Sequence, residues 1–409
     1  MSIDRRRFTH ALQEGAFALF CLLPLLLALT RAGADIALCL IGAMFLLYCA
    51  VEKHWRWLAL PEFRALGILW IYLMLHALAA PEIVASFSTA LVWGRFIPFA
   101  AASFWLLDRP GALHKVCRTN LAILALLLVD GGWQYITGTS LSGHRLWDSV
   151  RLSGPLTHPN LGNLILKVAL PTMGLWTYET ISRRRPLLPV IIFALMLMAL
   201  VLVSGERTIS ILMLLAIGVM GALVFLREPQ LRKHVLLGAI ALVALLALLA
   251  TQHVVQSRFH ELVMNLSNFR HSPYGQLYTN ALALWIQQPL FGIGAGEFRY
   301  LCLSVMIETS NSYCDIHPHN MYLEWLVSGG VVALAVFLLA MGLITRRFLR
   351  EASFRHSSGI PAMAGVGTLV ALLFPFAVTQ SVFANWAGIV FWYSLSLAVN
   401  LPHVAGEHD

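Results

Sequence analysis

Residues 183–227, RRRPLLPVIIFALMLMALVLVSGERTISILMLLAIGVMGALVFLR, decide the architecture. Two apolar runs, over about 187–204 and 208–226, flank a turn of only a few polar residues, Ser204 to Arg207. Neither run alternates with period two. In hydrocarbon every backbone amide must be satisfied inside its own segment or around a closed barrel, so runs of this length and pattern are membrane-crossing helices. Basic residues mark their far ends, Arg183 to Arg185 before the first and Arg227 after the second, while the turn between them holds Arg207 alone.

The same pattern extends over all 409 residues, of which 59% are hydrophobic and 12% charged, too few charges to cover a soluble globule of this size. Candidate spans fall at about 11–30, 34–51, 63–80, 91–107, 117–136, 159–178, 187–204, 208–226, 234–253, 319–343, 360–378 and 385–400. The expected fold is all-α, polytopic, with about twelve transmembrane helices in a single membrane domain over 1–409. If the N-terminus is cytoplasmic, 19 of the 28 Lys and Arg lie in loops on the cytoplasmic side, the last group being Arg346, Arg347, Arg350 and Arg355, and 7 lie on the other. Arg95 and Lys167 fall inside spans. This bias fixes an orientation, because one missed helix would invert every loop after it. It also accounts for the net charge of +8 without a nucleic-acid partner. The first apolar stretch, ending near Ala32-Gly33-Ala34, is read as an uncleaved span because Arg31 interrupts the approach to that small-residue site.

The segment 254–318 then becomes a long periplasmic loop between spans nine and ten, apolar enough for short amphipathic helices such as 274–288. Polar residues gather on this side in four places: 145–160 (RLWDSVRLSGPLTHPN), 204–210 (SGERTIS), 289–300 (PLFGIGAGEFRY) and 315–325 (DIHPHNMYLEW). Each stands where a loop meets a span, so distant helices can bring them round one cavity.

In their order these elements resemble the O-antigen ligase family of bacterial membrane glycosyltransferases, which includes O-antigen ligases and the related polymerases. The resemblance rests on Arg151, Gly154, Pro159 and Asn160 before a span, Ser204 and Arg207 in a turn, Pro289, Leu290, Gly292 and Gly294 in the long loop, and His319 and Asn320 opening a span that contains Gly329 and Gly330. It implies a GT-C-like membrane fold, an undecaprenyl-pyrophosphate-linked glycan as donor, arginines that hold the pyrophosphate, and a histidine that activates the acceptor hydroxyl. His319 and Arg207 become the catalytic candidates. The substrate-binding candidates are Arg151, His158, Arg270, Arg299, His317 and Asn320. The chain departs from the family at Tyr274, where an arginine often stands. Arg270 lies one helical turn earlier, and which arginine makes the second phosphate contact stays open.

Chemistry gives the same residues a purpose. Cleavage of a glycosyl pyrophosphate needs its developing charge stabilised, which planar guanidinium groups can do bidentately without a metal or other cofactor. An acceptor hydroxyl needs a base near working pH, which histidine supplies. Each residue also has a plainer reading. His319 can be an interfacial cap, Arg207 the ion-pair partner of Glu206, and Arg151 and His158 solvated loop charges. Lys167 and Arg95 can face a cavity or snorkel. Either His317 or Asn320 can orient the neighbouring ring. Gly292 to Gly296 are read as a tight turn rather than a nucleotide loop, and Asp315, Glu297 and Glu308 as solvated charges rather than, with His317, a cation site.

Four of the six cysteines, Cys21, Cys39, Cys49 and Cys117, lie in or beside spans without metal-ligand spacing. Cys302 and Cys314 share the long loop. In an oxidising compartment they are expected to join, closing a loop worth roughly 3 kcal/mol in the chain-entropy model, the alternative being two separate thiols.

The resulting expectation is an O-antigen ligase in a bacterial inner membrane, its site facing the periplasm, moving a glycan to a lipid A-core acceptor by direct displacement. A polymerase with the same donor and a growing glycan as acceptor is the alternative. A twelve-span transporter is the distant one, disfavoured by the lack of internal repeats and the clustering of polar residues at one face.

Overall fold

Each apolar run of the sequence falls on a helix. The computed structural model describes residues 2–352 and 359–403; Arg355, counted above among the cytoplasmic charges, lies outside them. Helices α1 (Ser2–Leu29), α2 (Arg31–Glu52), α3 (Pro61–Ala77), α4 (Ile83–Trp93), α5 (Phe96–Leu107), α6 (Ala112–Thr137), α7 (Leu161–Ser182), α8 (Leu188–Val203), α9 (Arg207–Arg227) and α10 (Arg232–Leu249) come first. Three shorter helices follow, α11 (His253–Ser267), α12 (Pro273–Gln287) and α13 (Phe298–Glu308), then α14 (Met321–Glu351), α15 (Ile360–Leu373) and α16 (Asn385–Asn400). Each of the twelve expected spans coincides with one of these helices, or with the α4–α5 pair. Among the described residues seven stretches are long and apolar enough to cross a membrane, and α8 and α15 are shorter apolar helices. The protein is an all-α polytopic membrane protein.

In lipid, helices gain nothing from hiding apolar surface and associate through close packing. Hence α7 and α15 meet at Gly174, where a Cβ would stand 2.0 Å from that of Ala364. α10 shows the other face of this principle: it buries no residue and presents Leu236, Leu237, Ile240 and Val243 outward. Of the two ionisable groups expected inside spans, Arg95 pairs with Asp35 at 2.8 Å and lies over the Phe96 ring.

The helix that matters most for function is broken. Gly330 has φ 67° and ψ −167°, a conformation open essentially to glycine, and divides α14. The turn 289–294 fills the break. Ile293 and Gly294 donate to the carbonyls of Val327 and Ser328 at 2.9 and 3.0 Å, and Val331 donates back to Pro289 at 3.0 Å. The Tyr72 hydroxyl from α3 adds a bond to the Gly329 carbonyl at 2.8 Å. A Cβ on Gly330 would stand 2.2 Å from the Leu290 carbonyl oxygen, and one on Gly292 2.5 Å from the Gly330 nitrogen. The tight turn and the paired glycines, 35 residues apart in sequence, are therefore one joint, whose halves satisfy the backbone groups that a helix break leaves open.

The end of α15 differs from expectation. The helix stops at Leu373, because Pro375 disfavours helical geometry at Phe374, and residues 374–384 run as a strap toward α16. Asn320 donates to the Pro375 carbonyl at 2.8 Å, and the Tyr322 hydroxyl to that of Leu373 at 2.5 Å. Glu324, 5% exposed, accepts from the Ser381 hydroxyl at 2.5 Å and the Val382 amide at 2.7 Å.

Candidate functional site

The turn between α8 and α9, read above as two helix ends with a lone arginine, forms the floor of a cavity with about 1290 Å³ of empty space, counting the part open to solvent. Arg151, Arg207, Arg258, Lys167, Tyr274 and His319 all line it.

Glu206 builds the floor. Instead of pairing with Arg207, it accepts the Gly162 and Asn163 amides at 2.5 and 3.2 Å, capping α7, and burial pushes its carboxyl up to about 8. The Leu152 amide donates to the Ser204 carbonyl at 3.2 Å, laying the Arg151 loop on this turn. From behind, Gln134 accepts the amides of Ser153 and Gly154 at 3.0 and 2.7 Å.

The three guanidinium groups come from different elements. Arg207 lies 3.1 Å from Glu261, and Arg258 bonds the same carboxylate at 2.6 Å and the Gly205 carbonyl at 3.2 Å. Burial and the neighbouring Arg207 charge pull the Arg258 pKa below its ordinary value. Arg151 bonds Asp148 at 2.5 Å. One buried donor, Arg151 Nε, has no hydrogen-bond acceptor among the described residues, and Arg207 Nη1 meets Glu261 as an ion pair without hydrogen-bond alignment. Among the described residues two carboxylates, both substantially exposed, pair with the three guanidiniums, the third carboxyl of the cavity, Glu206, being pushed up by burial, and α9 adds the positive end of its dipole.

Across the cavity stands His319, in left-handed backbone geometry at φ 56°, unusual for a residue with a side chain. Its carbonyl accepts the Thr379 amide of the strap at 2.9 Å, and Asn320 caps α14 by accepting the Tyr322 and Leu323 amides at 3.1 and 3.0 Å. With these anchors the ring Nε2 faces Asp315 Oδ2 at 3.1 Å, and Tyr274 packs edge-on at 5.8 Å between centroids. The hydrogen bond from His319 holds the Asp315 carboxyl down at about 2. The orienting group is therefore Asp315, not His317 or Asn320.

Other expected residues lie elsewhere. Asn320 is structural, spent on the cap and the strap. His317 is buried beside His319, centroids 4.1 Å apart, and burial lowers its pKa to about 4. His158, Arg270 and Arg299 are exposed and do not line the cavity; His158 packs on Trp147 at 5.2 Å. Arg258 was missed, although Val255, Arg258 and Phe259 fall on one face of α11 and signal that it turns inward. Glu297 is fully buried and Glu308 exposed, so neither joins Asp315, whose acid–histidine group contains His317 and His319. Cys302 and Cys314 form a disulfide that ties α13 to the segment leading to Asp315.

Among known proteins, the family model described as O-antigen ligase matches residues 191–338, a segment running from α8 through the turn, Arg258 and His319 to beyond the Gly330 break. No curated protein matches the chain.

Proposed function

From the match of residues 191–338 to the O-antigen ligase family model, we propose that this multi-pass bacterial membrane protein transfers a glycan from undecaprenyl pyrophosphate to a lipid A-core acceptor at the periplasmic face of the inner membrane. One observation carries the reading: three arginines and a carboxylate-held histidine face each other across a single cavity.

The donor diphosphate lies against Arg207, with Arg151 and Arg258 beside it. The planar guanidiniums bond its oxygens and take up the charge that develops as the bond to the anomeric carbon lengthens. Arg258 fills the second contact that Tyr274 cannot make. On the far side the acceptor hydroxyl meets His319. With Nε2–H donated to Asp315, the ring's other nitrogen keeps a lone pair for the hydroxyl proton. The acceptor oxygen then bonds the anomeric carbon as the carbon–oxygen bond to the diphosphate breaks, and undecaprenyl pyrophosphate leaves with the electron pair. Attack opposite the leaving group inverts the anomeric centre.

Purified protein with lipid-linked donor and lipid A-core acceptor tests this, with chelator present. His319→Ala is expected to abolish transfer while the protein stays inserted and binds donor. Undiminished turnover removes His319 from the mechanism. A gene deletion that leaves the lipopolysaccharide ladder intact but shortens another surface glycan identifies the acceptor as a growing chain instead.

A further inference from the structure

His317 has no role in that mechanism, yet it is held in a costly way. The residue is 8% exposed, and neither ring nitrogen has a hydrogen-bond partner among the described residues. The Thr379 backbone of the strap comes near the ring without forming a hydrogen bond of good geometry to either nitrogen. A buried imidazole with both nitrogens unpaired loses the hydrogen bonds water would give it unless something else binds there.

What stands beside it is a ligand set. One atom each from Asp315, His317 and His319 lies within 4.8 Å of the other two. In a tetrahedral zinc site, metal–ligand bonds of about 2.0–2.2 Å separate the ligand atoms by roughly 3.3 Å. The Asp315–His319 contact, at 3.1 Å, already has that spacing, and His317 closes the triangle by a side-chain shift of about 1.5 Å at most. Two imidazoles and one carboxylate suit Zn²⁺ and its first-row neighbours rather than Mg²⁺ or Ca²⁺, which prefer oxygen. The Asp315 charge offsets that of Arg299, which also acts on His317.

We propose that Asp315, His317 and His319 bind a transition-metal ion, with Zn²⁺ the best fit, and that its binding switches transfer off by occupying His319. The binding half stands on the geometry alone. The inhibitory half rests on the reading of His319 as the base, because zinc taken on by the Nε2 lone pair leaves the ring proton on the other nitrogen, which then has no lone pair for the acceptor hydroxyl. Metal binding also releases any proton held by the histidines, so the site fills more readily as pH rises.

The two halves have separate readouts. Metal-free full-length protein in detergent is titrated with Co²⁺ and then Zn²⁺. The expected results are a visible Co²⁺ band of tetrahedral intensity that Zn²⁺ displaces, one zinc retained per chain after dialysis, and at least ~10-fold weaker binding in both His317→Ala and Asp315→Asn. The Asp315→Asn side chain keeps its shape, so loss of binding there is not a folding effect. Wild-type protein retaining no more zinc than these variants overturns the site. If zinc binds but transfer by wild-type protein is unchanged, the inhibitory half is wrong. If transfer falls and chelator restores it, both halves hold. A chain that binds zinc but shows no transfer even when metal-free overturns the switch and the proposed function while leaving the site intact.

Discussion

Arg258→Ala and Arg270→Ala separate the geometry from a count of loop arginines. Arg258 lines the cavity and shares Glu261 with Arg207, whereas Arg270 is exposed and points elsewhere. Removing Arg258 takes away one charge-assisted hydrogen bond to the diphosphate, about 1.5–3 kcal/mol, which is a loss of roughly 10- to 150-fold in transfer. Its structural cost is smaller. The pair with Glu261, a side chain 47% exposed, contributes about 0–1 kcal/mol, and the bond to the Gly205 carbonyl about 0.5–1.5 kcal/mol. The variant should therefore fold, with a modestly lower melting temperature, and transfer poorly. Arg258→Lys should recover part of the activity, because an ammonium keeps the charge without the fork. Arg270→Ala should match wild type in both respects. The measurement is initial transfer rate against donor concentration for purified variants of equal monodispersity, alongside their melting curves. An inactive Arg270→Ala beside an active Arg258→Ala would refute the arrangement of the three arginines.

Further outcomes follow from other parts of the fold. Gly330→Ala must place a Cβ 2.2 Å from the Leu290 carbonyl in a conformation reserved for glycine, and should lower stability by about 2–5 kcal/mol, read from thermal unfolding in detergent. Cys302→Ser should cost roughly 3 kcal/mol by releasing a loop of 12 residues, and unreduced wild-type protein should resist thiol labelling at both positions; labelling of both would exclude the bond. A reporter active only outside the cytoplasm should work when fused after Ser267 and fail after Arg185, and the reverse pattern would move the site to the cytoplasmic face.

The helices were legible because lipid leaves so few choices: each apolar run falls on a helix, with ends such as those of α1, α14 and α15 off by five to nine residues. Side-chain contacts inside 315–320 were not, for a physical reason. Asp315 and His319 are four residues apart, a spacing that implies contact only on a helix, and this stretch is not helical. Their contact depends on the left-handed turn at His319, which no residue-type preference announces. The strap was partly hidden by its own composition, since 374–378 is apolar enough to read as the end of a span, and only Pro375 marked the boundary.

The strap also explains how groups from distant segments are held in register. From His319 the backbone bonds to Thr379. The neighbouring Gln380 donates to Asn160 at 2.5 Å, at the start of α7. That helix is capped by Glu206, the residue before Arg207, and the Ser204 carbonyl of the same turn fixes the Arg151 loop. Most links use a backbone amide or carbonyl, and α14 supplies two buried side chains, Asn320 and Glu324, to keep the strap down. His319 and the arginines are thus positioned by one path of short bonds through a segment with few ionisable groups. Precision of this kind suits a displacement in which attacking oxygen and leaving diphosphate must stand on opposite faces of one carbon.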